Sequence, residues 1–432
     1  MNRINLGLIG YGNVGSGVVK FLHMHQNYFQ NKYHTNFILK TVCDRSLNKK
    51  NPKYVGKAAL TTDYAQVLND PTIDVVIELI GGLHPAKEIV LGALKTGKHV
   101  VTANKELIAN YGKELFQEVE RRNRNIYFES AVMAGVPVIN AITAGIASNK
   151  FKSIYGIING TCNFILTEMT KNDRTFSQAL ELAQKKGFAE SNPTLDISGM
   201  DSAHKLAILV SLTLGKFITL KDIYTEGITH ISHVDIEHAE SLNLNIKLLA
   251  IAKRVNNAIE ARVHPTLISK DHSLASINGI HNALLLHTEP LGDILLSGEG
   301  AGQMTAASGI ISDLLNLASR TGSDAANMLG NLYQEAPGRK IKKIDQIRTK
   351  FYLRFMATDK PGVLSQITGI LGKHGVSINS VTQKAHKRAA TVPVVMLTDY
   401  APEKMVRLAL EKIHNLSIVK SKPVAIRMEN LP

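Results

Sequence analysis

The 432-residue chain has only two cysteines, no tryptophan and no long apolar run. Because Cys43 and Cys162 lie far apart in sequence, they indicate neither a disulfide framework nor the closely spaced ligands of a zinc site. The longest apolar run, 206–215, is well short of the roughly 20 residues that a membrane span needs. No signal peptide precedes the first predicted strand. We therefore expect a cytoplasmic protein with no zinc and no membrane partner.

The charge of the chain is unevenly distributed. The formal net charge is +14, and residues 337–432 hold 18 lysines and arginines but only 6 acidic residues. A site for single-stranded nucleic acid would interleave aromatic side chains with this charge, yet no aromatic residue lies between Phe355 and Tyr400. The pattern favours a solvated basic surface and no nucleic-acid partner.

Short apolar strands alternate with helical stretches in the first third of the chain. Strands that are apolar on both faces are typical of a parallel sheet covered by helices. The pattern predicts an α/β protein that begins with a Rossmann-like dinucleotide-binding domain over 1–134. The predicted strands are 4–10, 37–43, 75–80, 99–103 and 126–130, and the predicted helices include 18–22 and 86–96.

Longer helices mixed with strands follow residue 134. They predict an α+β substrate and dimerisation domain over 135–300, and then a helix over 301–336 that returns to the nucleotide-binding domain. Pro337 and Gly338, which break regular structure, and the run of basic residues after them predict an exposed linker over 337–350. The second domain includes predicted helices 178–186 and 202–214 and predicted strands 154–158 and 259–268.

A compact βαββαβ pattern occupies 351–427, and this order is typical of a ferredoxin-like fold. A four-stranded sheet of this kind leaves free edges and an open face, which pairing of two copies would bury. We therefore expect a homo-oligomer, either a dimer or a tetramer. The predicted elements are 351–357, 362–374, 377–384, 391–397, 402–413 and 418–427.

A GxGxxG motif lies between the first predicted strand and the first predicted helix. In this setting Gly10 permits a tight turn, Gly12 lets the backbone approach a pyrophosphate, and Gly15 permits close packing. The N-terminus of the following helix faces the anion. The motif predicts a dinucleotide site that also includes Asn13 and Val14.

The residues after the second predicted strand bear on which dinucleotide binds. Asp44 stands where a carboxylate would hold the ribose hydroxyls of NAD. Arg45, Lys49 and Lys50 follow it and could neutralise the 2′-phosphate of NADP. The pattern favours NADP slightly and leaves NAD open.

A second group of charged residues lies in the turn-rich segment 187–205. Asp201 and Lys205 are one helical turn apart on the same face, and Glu190 and Asp196 precede them. Such a segment is either an exposed set of caps and ion pairs or part of a site. The strongly apolar stretch 206–214 follows it, which favours a charged turn that leads into a buried helix and lies in a cleft.

Several motifs, in order along essentially the whole chain, resemble those of the homoserine dehydrogenases. The segment after the linker, at 357–364 and 378–383, is similar to an ACT domain, a module that senses amino acids. The motifs that carry the first resemblance are GYGNVGSGVV, TANKELIA, ESAVMAGVPVI, GIINGTCNFILTEM, GFAESNPTLDISGMDSAHKLAIL and GEGAGQMTAASGIISDL.

The resemblance implies an NAD(P)-dependent enzyme that interconverts L-homoserine and L-aspartate 4-semialdehyde in threonine, methionine and isoleucine biosynthesis. It implies that Lys205 is the acid/base lysine and that Asp201 is a carboxylate near the substrate and the reacting centre. It also implies that Glu190 binds the substrate amino group. Lys105 of the TANK motif would lie near both nicotinamide and substrate, and Gly302 would lie beside the cofactor.

The resemblance further implies a sodium or similar ion, held by backbone carbonyl oxygens of a loop. The residues of that loop are Glu129, Val132, Ala134 and Val136. The ACT resemblance implies regulation by an amino acid such as threonine, and we expect it to bind after 359–362, with Asn379 nearby.

Two rival interpretations remain open at this point. Cys162 lies in a polar turn and could act as the thiol of a phosphorylating aldehyde dehydrogenase, although no histidine motif beside it suggests a paired base. The chain could also be a catalytically silent amino-acid sensor, which would be expected to have lost its charged site residues. Those residues are all present.

Overall fold

The computed structural model describes residues 2–47, 52–319, 339–383 and 391–432. No helix in this described part of the chain is long and apolar enough to cross a membrane. The chain divides into two compact units, each assembled from three separate segments. Unit 1 comprises Met1–Lys152, His204–Lys221 and Ile280–Gly338, and unit 2 comprises Ser153–Ala203, Asp222–Gly279 and Arg339–Pro432.

The first 145 residues alternate short strands with helices, as the periodicity predicts. The helix predicted at 18–22 is much longer, because it begins inside the glycine motif, at Asn13, and buries apolar residues as far along as Phe29. The strand predicted at 126–130 ends early, because a short helix starts at Ser130. The elements are β1 (Asn2–Ile9), α1 (Asn13–Tyr33), β2 (Thr35–Cys43), β3 (Ala59–Thr61), α2 (Tyr64–Asn69), β4 (Val75–Glu78), α3 (Ala86–Lys95), β5 (His99–Thr102), α4 (Lys105–Arg122), β6 (Ile126–Tyr127), α5 (Ser130–Met133) and α6 (Val138–Asn140).

The middle of the chain contributes to both units. The predicted second domain, 135–300, does not coincide with one unit, because 135–152, 204–221 and 280–300 belong to unit 1 and the rest belongs to unit 2. The elements are β7 (Lys150–Ile157), α7 (Gly160–Lys171), α8 (Phe176–Lys185), α9 (Thr194–Ile197), α10 (Met200–Leu214), β8 (Tyr224–Thr225), α11 (His233–Ser241), β9 (Leu244–Val255), β10 (Ala258–Ser269), β11 (His281–Glu289) and β12 (Gly292–Glu299).

The last part of the chain begins with one helix of unit 1 and continues with the βαββαβ pattern in unit 2. Residues 320–338 and 384–390 lie outside the described residues, and so does the end of the helix predicted over 301–336. The elements are α12 (Gln303–Ser319), β13 (Lys340–Ile341), β14 (Arg348–Thr358), α13 (Val363–Lys373), β15 (Ile378–Gln383), β16 (Thr391–Thr398), β17 (Ala401–Pro402), α14 (Glu403–His414) and β18 (Val424–Met428).

Unit 1 contains a parallel sheet with the strand order β3-β2-β1-β4-β5-β6. The order reverses between β1 and β4, and ligands of such sheets bind at that point, beyond the carboxyl ends of the strands. The apolar side of α12 packs into the same core as α1, with Ile310 and Leu314 fully buried. The glycine motif lies at the end of β1 and is therefore at the switch point.

Unit 2 contains a sheet with the strand order β7-β9-β10-β18-β14-β16-β15. Its last four strands have the order of a ferredoxin-like fold, and α13 and α14 cover one face through a core that includes Phe351, Leu353 and Ile367. Ile370 is only partly buried there and Leu364 is exposed, so only part of the apolar side of α13 faces the core.

The ferredoxin-like sheet has less free surface than the sequence predicts. Its β18 edge pairs with β10 of the same chain, with Leu267 beside Met428. On the face opposite α13 and α14, Tyr352 and Arg354 are buried and bind Asp235 of α11. The prediction that this edge and face await a second copy is therefore wrong for these residues.

The segment predicted as an exposed linker over 337–350 is also built into unit 2 where it is described. β13 pairs with the start of β10, and Lys342 Nζ lies 2.8 Å from a carboxylate oxygen of Glu260. Composition indicated a boundary here because the segment is basic, but one of its lysines, Lys342, has an acidic partner on β10.

The Asp235–Arg354 contact is a buried ion pair. The guanidinium donates Nε–H to Oδ1 at 2.7 Å and Nη2–H to Oδ2 at 3.0 Å, and the Tyr352 hydroxyl donates to Oδ1 at 3.1 Å. Asp235 Oδ2 also accepts the amide and hydroxyl hydrogens of Ser232, the N-cap residue directly before α11. One carboxylate thus neutralises the buried Arg354 guanidinium and also accepts the hydrogen bonds that cap α11.

We predict that Asp235→Ala destabilises the protein by about 3–5 kcal/mol, because it leaves Arg354 charged and unpaired in the interior. The matched control is Glu237→Ala on the same helix, whose carboxylate is half-exposed and pairs with His233. Its loss should cost at most about 1 kcal/mol. Thermal and urea unfolding of the two variants measure the difference, and equal losses would contradict the prediction.

Candidate functional site

The glycine motif forms the turn that the sequence predicts. Gly10 has φ +104°, and a Cβ there would lie 2.6 Å from the backbone of Leu79 on the neighbouring strand. A Cβ on Gly15 would lie 2.0 Å from the carbonyl oxygen of Gly10, so only glycine lets α1 start this close to β1. The space around Gly12 is open. The turn and the exposed N-terminus of α1 are therefore suited to a phosphate group.

A cavity of about 340 Å³ lies beside this turn, and its lining includes Gly10, Gly12, Asp44 and Arg45. The Asp44 carboxylate accepts the Tyr11 amide hydrogen at 2.7 Å, and it also accepts the amide and hydroxyl hydrogens of Ser46. Asp44 therefore holds the loop together, and the exposed Arg45 guanidinium supplies positive charge at the cavity. Lys49 and Lys50 lie outside the described residues.

Lys105 begins α4 at the carboxyl end of β5, and a buried network fixes this position. Glu78 accepts the Thr102 hydroxyl at 2.7 Å, and Thr102 Oγ1 accepts the Asn104 amide hydrogen at 3.0 Å. The Asn104 side chain caps α4 by accepting the Leu107 amide hydrogen at 3.0 Å. Burial raises the pKa of Glu78. Nothing in the sequence indicates this role for Glu78, because the residue lies inside the otherwise apolar strand predicted at 75–80.

α12 attaches to the nucleotide turn through Gln303, which sequence reasoning also missed. Its side-chain amide donates to the Asn13 carbonyl and to the Ser16 hydroxyl, both at 3.0 Å. Gly302 precedes it with φ +129°, a conformation that favours glycine. The glycine-rich sequence before α12 was the available signal, but nothing local in it indicates that Gln303 reaches α1, which lies 290 residues earlier.

The loop predicted to hold a monovalent cation is buried in unit 1. The Glu129 carboxylate accepts the amide hydrogens of Ile139 and Asn140, at 2.6 and 2.8 Å, and burial raises its pKa to about 7. The Ala134 carbonyl lies 3.1 Å from the Ser130 hydroxyl. The Val136 carbonyl accepts the Val138 amide hydrogen at 2.8 Å, and Val132 is also buried. The groups that could hold an ion here are oxygens, the ligand type that suits a hard cation such as sodium, and those of Glu129, Ala134 and Val136 already accept hydrogen bonds within the loop.

In unit 2, one amide joins two of the carboxylates from segment 187–205. Asn159 Nδ2 donates to Asp196 Oδ1 at 2.7 Å and to Asp201 Oδ2 at 2.9 Å, and Asn159 Oδ1 caps α7 through the Cys162 amide. Asn159 and Asp201 are buried. Asn159 lies in the motif GIINGTCNFILTEM, but the sequence alone predicts no role for it, because its partners lie about 40 residues further along the chain.

Glu190 differs from this pair because its side chain is exposed. Its carbonyl accepts a hydrogen bond from Gln184 of α8 at 3.1 Å. α10 carries both Asp201 and Lys205, which are buried. The division between the units falls within this helix, so Lys205 belongs to unit 1 together with Lys105, whereas Glu190 and Asp201 belong to unit 2.

Cys162 has no access to solvent. It lies in the first turn of α7, its side chain is fully buried, and its thiol contacts the Asp196 carbonyl at 3.1 Å. A thiol nucleophile must meet its substrate, so this environment does not support the thiol mechanism. Among the described residues, no group of three or more histidine, cysteine or acidic side chains is arranged to hold a metal ion.

Comparison with known proteins agrees with these features. Residues 10–129 match the NAD-binding domain of homoserine dehydrogenase, 137–315 match the homoserine dehydrogenase family, and 351–417 match the ACT domain. The homoserine dehydrogenase of Neisseria gonorrhoeae is 38% identical over 434 residues, with full coverage of both chains.

Solved structures give the same result. The crystal structure of a homoserine dehydrogenase from Thiobacillus denitrificans has a TM-score of 0.91 and 38% identity, and the match covers 100% of this chain and 99% of that one. A hyperthermophilic archaeal homoserine dehydrogenase in complex with NADPH has a TM-score of 0.63 and 25% identity, over 73% and 97% of the two chains. Full-length identity at this level, together with the matches over 10–129, 137–315 and 351–417, shows that the chain belongs to the homoserine dehydrogenase family.

Proposed function

We propose that the protein is an NAD(P)-dependent homoserine dehydrogenase that interconverts L-homoserine and L-aspartate 4-semialdehyde. The full-length match to this family carries the proposal. The glycine turn at the sheet switch point supports dinucleotide binding, and the buried thiol of Cys162 argues against the aldehyde dehydrogenase mechanism. Lys105, Glu190, Asp201 and Lys205 are all retained, which argues against a silent sensor.

In this proposal Lys205 moves the proton that accompanies hydride transfer. Bound NAD(P)H supplies the hydride, and the carbonyl oxygen of the semialdehyde must then gain a proton, which Lys205 donates. In the oxidation direction Lys205 accepts the hydroxyl proton. Asp201 lies near the substrate, where Asn159 fixes the orientation of its carboxylate.

Two further charged residues bind substrate in this proposal. Glu190 pairs with the ammonium group that homoserine and aspartate semialdehyde share, and its exposed side chain supports access by a substrate. Lys105 lies near both nicotinamide and substrate, at the carboxyl edge of the parallel sheet. The network of Glu78, Thr102 and Asn104 holds the start of α4 and so fixes the backbone of Lys105.

NADP is the preferred cofactor in this proposal, and NAD is a poorer one. The Asp44 carboxylate already accepts three hydrogen bonds from the loop, whereas Arg45 is exposed beside the cavity and can pair with a 2′-phosphate. Gly10, Gly12, Asn13, Val14 and Gly15 bind the pyrophosphate, with Gly302 close to the cofactor. The archaeal relative in complex with NADPH supports this preference.

A monovalent cation, most simply sodium, binds the loop 129–136 in this proposal. Glu129 and the carbonyl oxygens of Val132, Ala134 and Val136 supply the ligands, and the buried carboxylate of Glu129 gives the ion its counter-charge in its ionised form. The ion supports the shape of the loop and takes no part in the hydride step.

The oligomeric state and the regulation stay predictions. We expect a homodimer or homotetramer located in the cytoplasm, with threonine as an amino-acid effector, and the ACT match supports an amino-acid effector in general. The site predicted after 359–362 begins α13, where Gly362 has φ +86°, and Asn379 is exposed on β15.

We predict that Lys205→Ala and Lys205→Arg both lower kcat for aspartate semialdehyde reduction by about 10²- to 10⁴-fold, because each removes the positioned proton donor. The Kd of NADPH, measured by fluorescence titration, should stay within about twofold. Cys162→Ala serves as the control and should keep most of its activity. Near-normal turnover by Lys205→Ala, combined with inactivity of Lys105→Ala, would show that the acid/base lysine is wrongly assigned.

Arg45→Ala should raise the KM for NADPH about 10-fold or more, because a hydrogen bond to a charged group contributes about 1.5–3 kcal/mol. The KM for NADH should not change, since NAD has no 2′-phosphate. Steady-state rates with both cofactors measure this, and Lys95→Ala, an exposed lysine on α3 outside the cavity, is the charge control. Equal effects on both cofactors would contradict the assignment of Arg45 to the phosphate.

Sodium chloride should raise the unfolding midpoint of the wild type above its value in choline chloride at the same ionic strength. A ligand that binds only the folded state adds about 2.7 kcal/mol at a 100-fold excess over its Kd. Glu129→Gln should abolish the difference, whereas Glu120→Gln, at an exposed position on α4, should keep it. A wild type that responds equally to both salts would overturn the cation proposal.

A further inference from the structure

The side-chain amide of Asn282 on β11 is buried without a partner among the residues that the structure describes. The residue is 0% exposed, and neither Oδ1 nor Nδ2 makes a hydrogen bond. In the described ranges it is the one side chain that leaves both a donor and an acceptor unpaired. Such a group is unfavourable, because burial has removed its hydrogen bonds to water. The proposed function does not use Asn282, so the amide needs partners from another source.

The backbone of Gly300 lies directly against this amide. A Cβ on Gly300 would lie 2.0 Å from both Cγ and Nδ2 of Asn282, and 2.5 Å from Oδ1. Asn282 is paired with Gly298 across the β11–β12 hairpin, so the start of the glycine-rich segment is held beside it. A side chain at position 300 would occupy the place of the amide. Glycine is therefore required there for the close approach of the two segments.

The peptide groups on either side of Gly300 carry the donor and the acceptor that the amide lacks. Each such peptide has one N–H and one C=O, and a carboxamide can pair with both. A bound cation would use Oδ1 but leave the hydrogens of Nδ2 unpaired. Glycine at position 300 also has unusual backbone freedom. A modest rotation of the backbone at 299–301 would therefore satisfy the whole amide.

The segment 299–302 connects two anchored parts of unit 1. At one end Gly298 packs on the loop assigned to the cation, where a Cβ would lie 2.9 Å from Cγ2 of Val136. At the other end Gln303 binds the start of α1 through two hydrogen bonds of 3.0 Å. Three of the four residues between these anchors are exposed. The segment can therefore change conformation while both anchors stay in place.

We propose that Asn282 is a positioning residue for segment 299–302. When a dinucleotide occupies the glycine turn at the start of α1, the backbone of this segment rotates and pairs with the Asn282 amide. Gly302, the residue assigned to the cofactor, is then held in one conformation, and Asn282 itself does not touch the cofactor. The inference rests on the dinucleotide binding of the proposed function and is independent of the hydride step.

The first measurement is the thermal unfolding midpoint of the full-length protein without cofactor. Asn282→Leu keeps the branched shape and removes an amide that has no partner, so the midpoint should stay at the wild-type value or rise. Thr288→Val on the same strand is the matched control. It removes a buried hydroxyl that donates to the Gly292 carbonyl at 2.9 Å, so its midpoint should fall by about 2 °C.

The second measurement is the Kd of NADPH, obtained by fluorescence titration without substrate. Asn282→Leu and the smaller Asn282→Ala should each raise this Kd about 10-fold or more, because two hydrogen bonds are lost only in the bound state. Thr288→Val should bind NADPH as the wild type does. The Kd of 2′-phospho-ADP-ribose, which lacks the nicotinamide, should rise by the same factor, since the amide acts on the segment and not on the ring.

Hydrogen exchange reports the conformation of the segment directly. NADPH should slow the exchange of the amides of 299–302 in the wild type and in Thr288→Val, and much less in Asn282→Leu. Gly300→Ala should also raise the Kd of NADPH, because its Cβ takes the place of the amide. The double variant Asn282→Ala/Gly300→Ala should stay within about twofold of the weaker single variant, since both changes remove the same contact.

Three results would overturn the proposal. Midpoints of both Asn282 variants below that of Thr288→Val, without cofactor, would show that the amide already has partners in the free protein, such as a buried water. Wild-type affinity for NADPH in both variants would exclude any link to the cofactor. Weaker binding of NADPH alone, with unchanged binding of 2′-phospho-ADP-ribose, would place the amide on the nicotinamide carboxamide instead.

Failure of the proposed function gives a different result. A wild type that binds neither NADPH nor NADH would contradict dinucleotide binding, and this inference with it. A wild type that binds NADPH but does not reduce aspartate semialdehyde would contradict the proposed reaction alone, because every measurement above is made without substrate.

Discussion

The buried carboxylate of Asp235 is the contact on which the arrangement of unit 2 depends. It binds Arg354 and Tyr352 of the ferredoxin-like sheet while it caps α11 beside β9. A buried ion of this kind is tolerated only where its partner and hydrogen bonds are complete. The ACT-type domain is therefore a fixed part of unit 2, and a purely apolar contact would tolerate sliding that this bidentate geometry does not.

The positions of Asp196 and Asp201 depend on neighbouring groups that take no part in the proposed reaction. Asn159 orients Asp196 and Asp201 with one amide, and Gly227 lets a neighbouring strand approach the turn between them. The Asp201 carboxylate and the turn before it are thus held in place by the start of α7, by the chain beside β8 and by α10 itself. A change in any of these elements can reach Asp201 without touching the substrate.

Local patterns predicted the parts of the structure that depend on nearby residues. The glycine turn, the parallel strands and the βαββαβ order follow from periodicity and from the conformational freedom of Gly10 and the packing at Gly15. Contacts between distant segments could not be predicted in this way. Gln303 binding α1, β18 pairing with β10, and the division of residues 135–300 between two units all depend on pairings that a single sequence does not encode locally.

The parallel pairing of β10 with β18 has a consequence for how the protein is made. Arg427 of β18 and its partner Glu226 are 201 residues apart along the chain. During synthesis, β9 and β10 leave the ribosome long before β18 exists, so Thr266 and Leu267 at one end of the β10 edge, and the carboxylate of Glu226, lack these partners until β18 is made. An unpaired strand edge is a site of aggregation. The nascent chain is therefore most vulnerable in this interval, and chaperone binding there would protect the edge that β18 later covers.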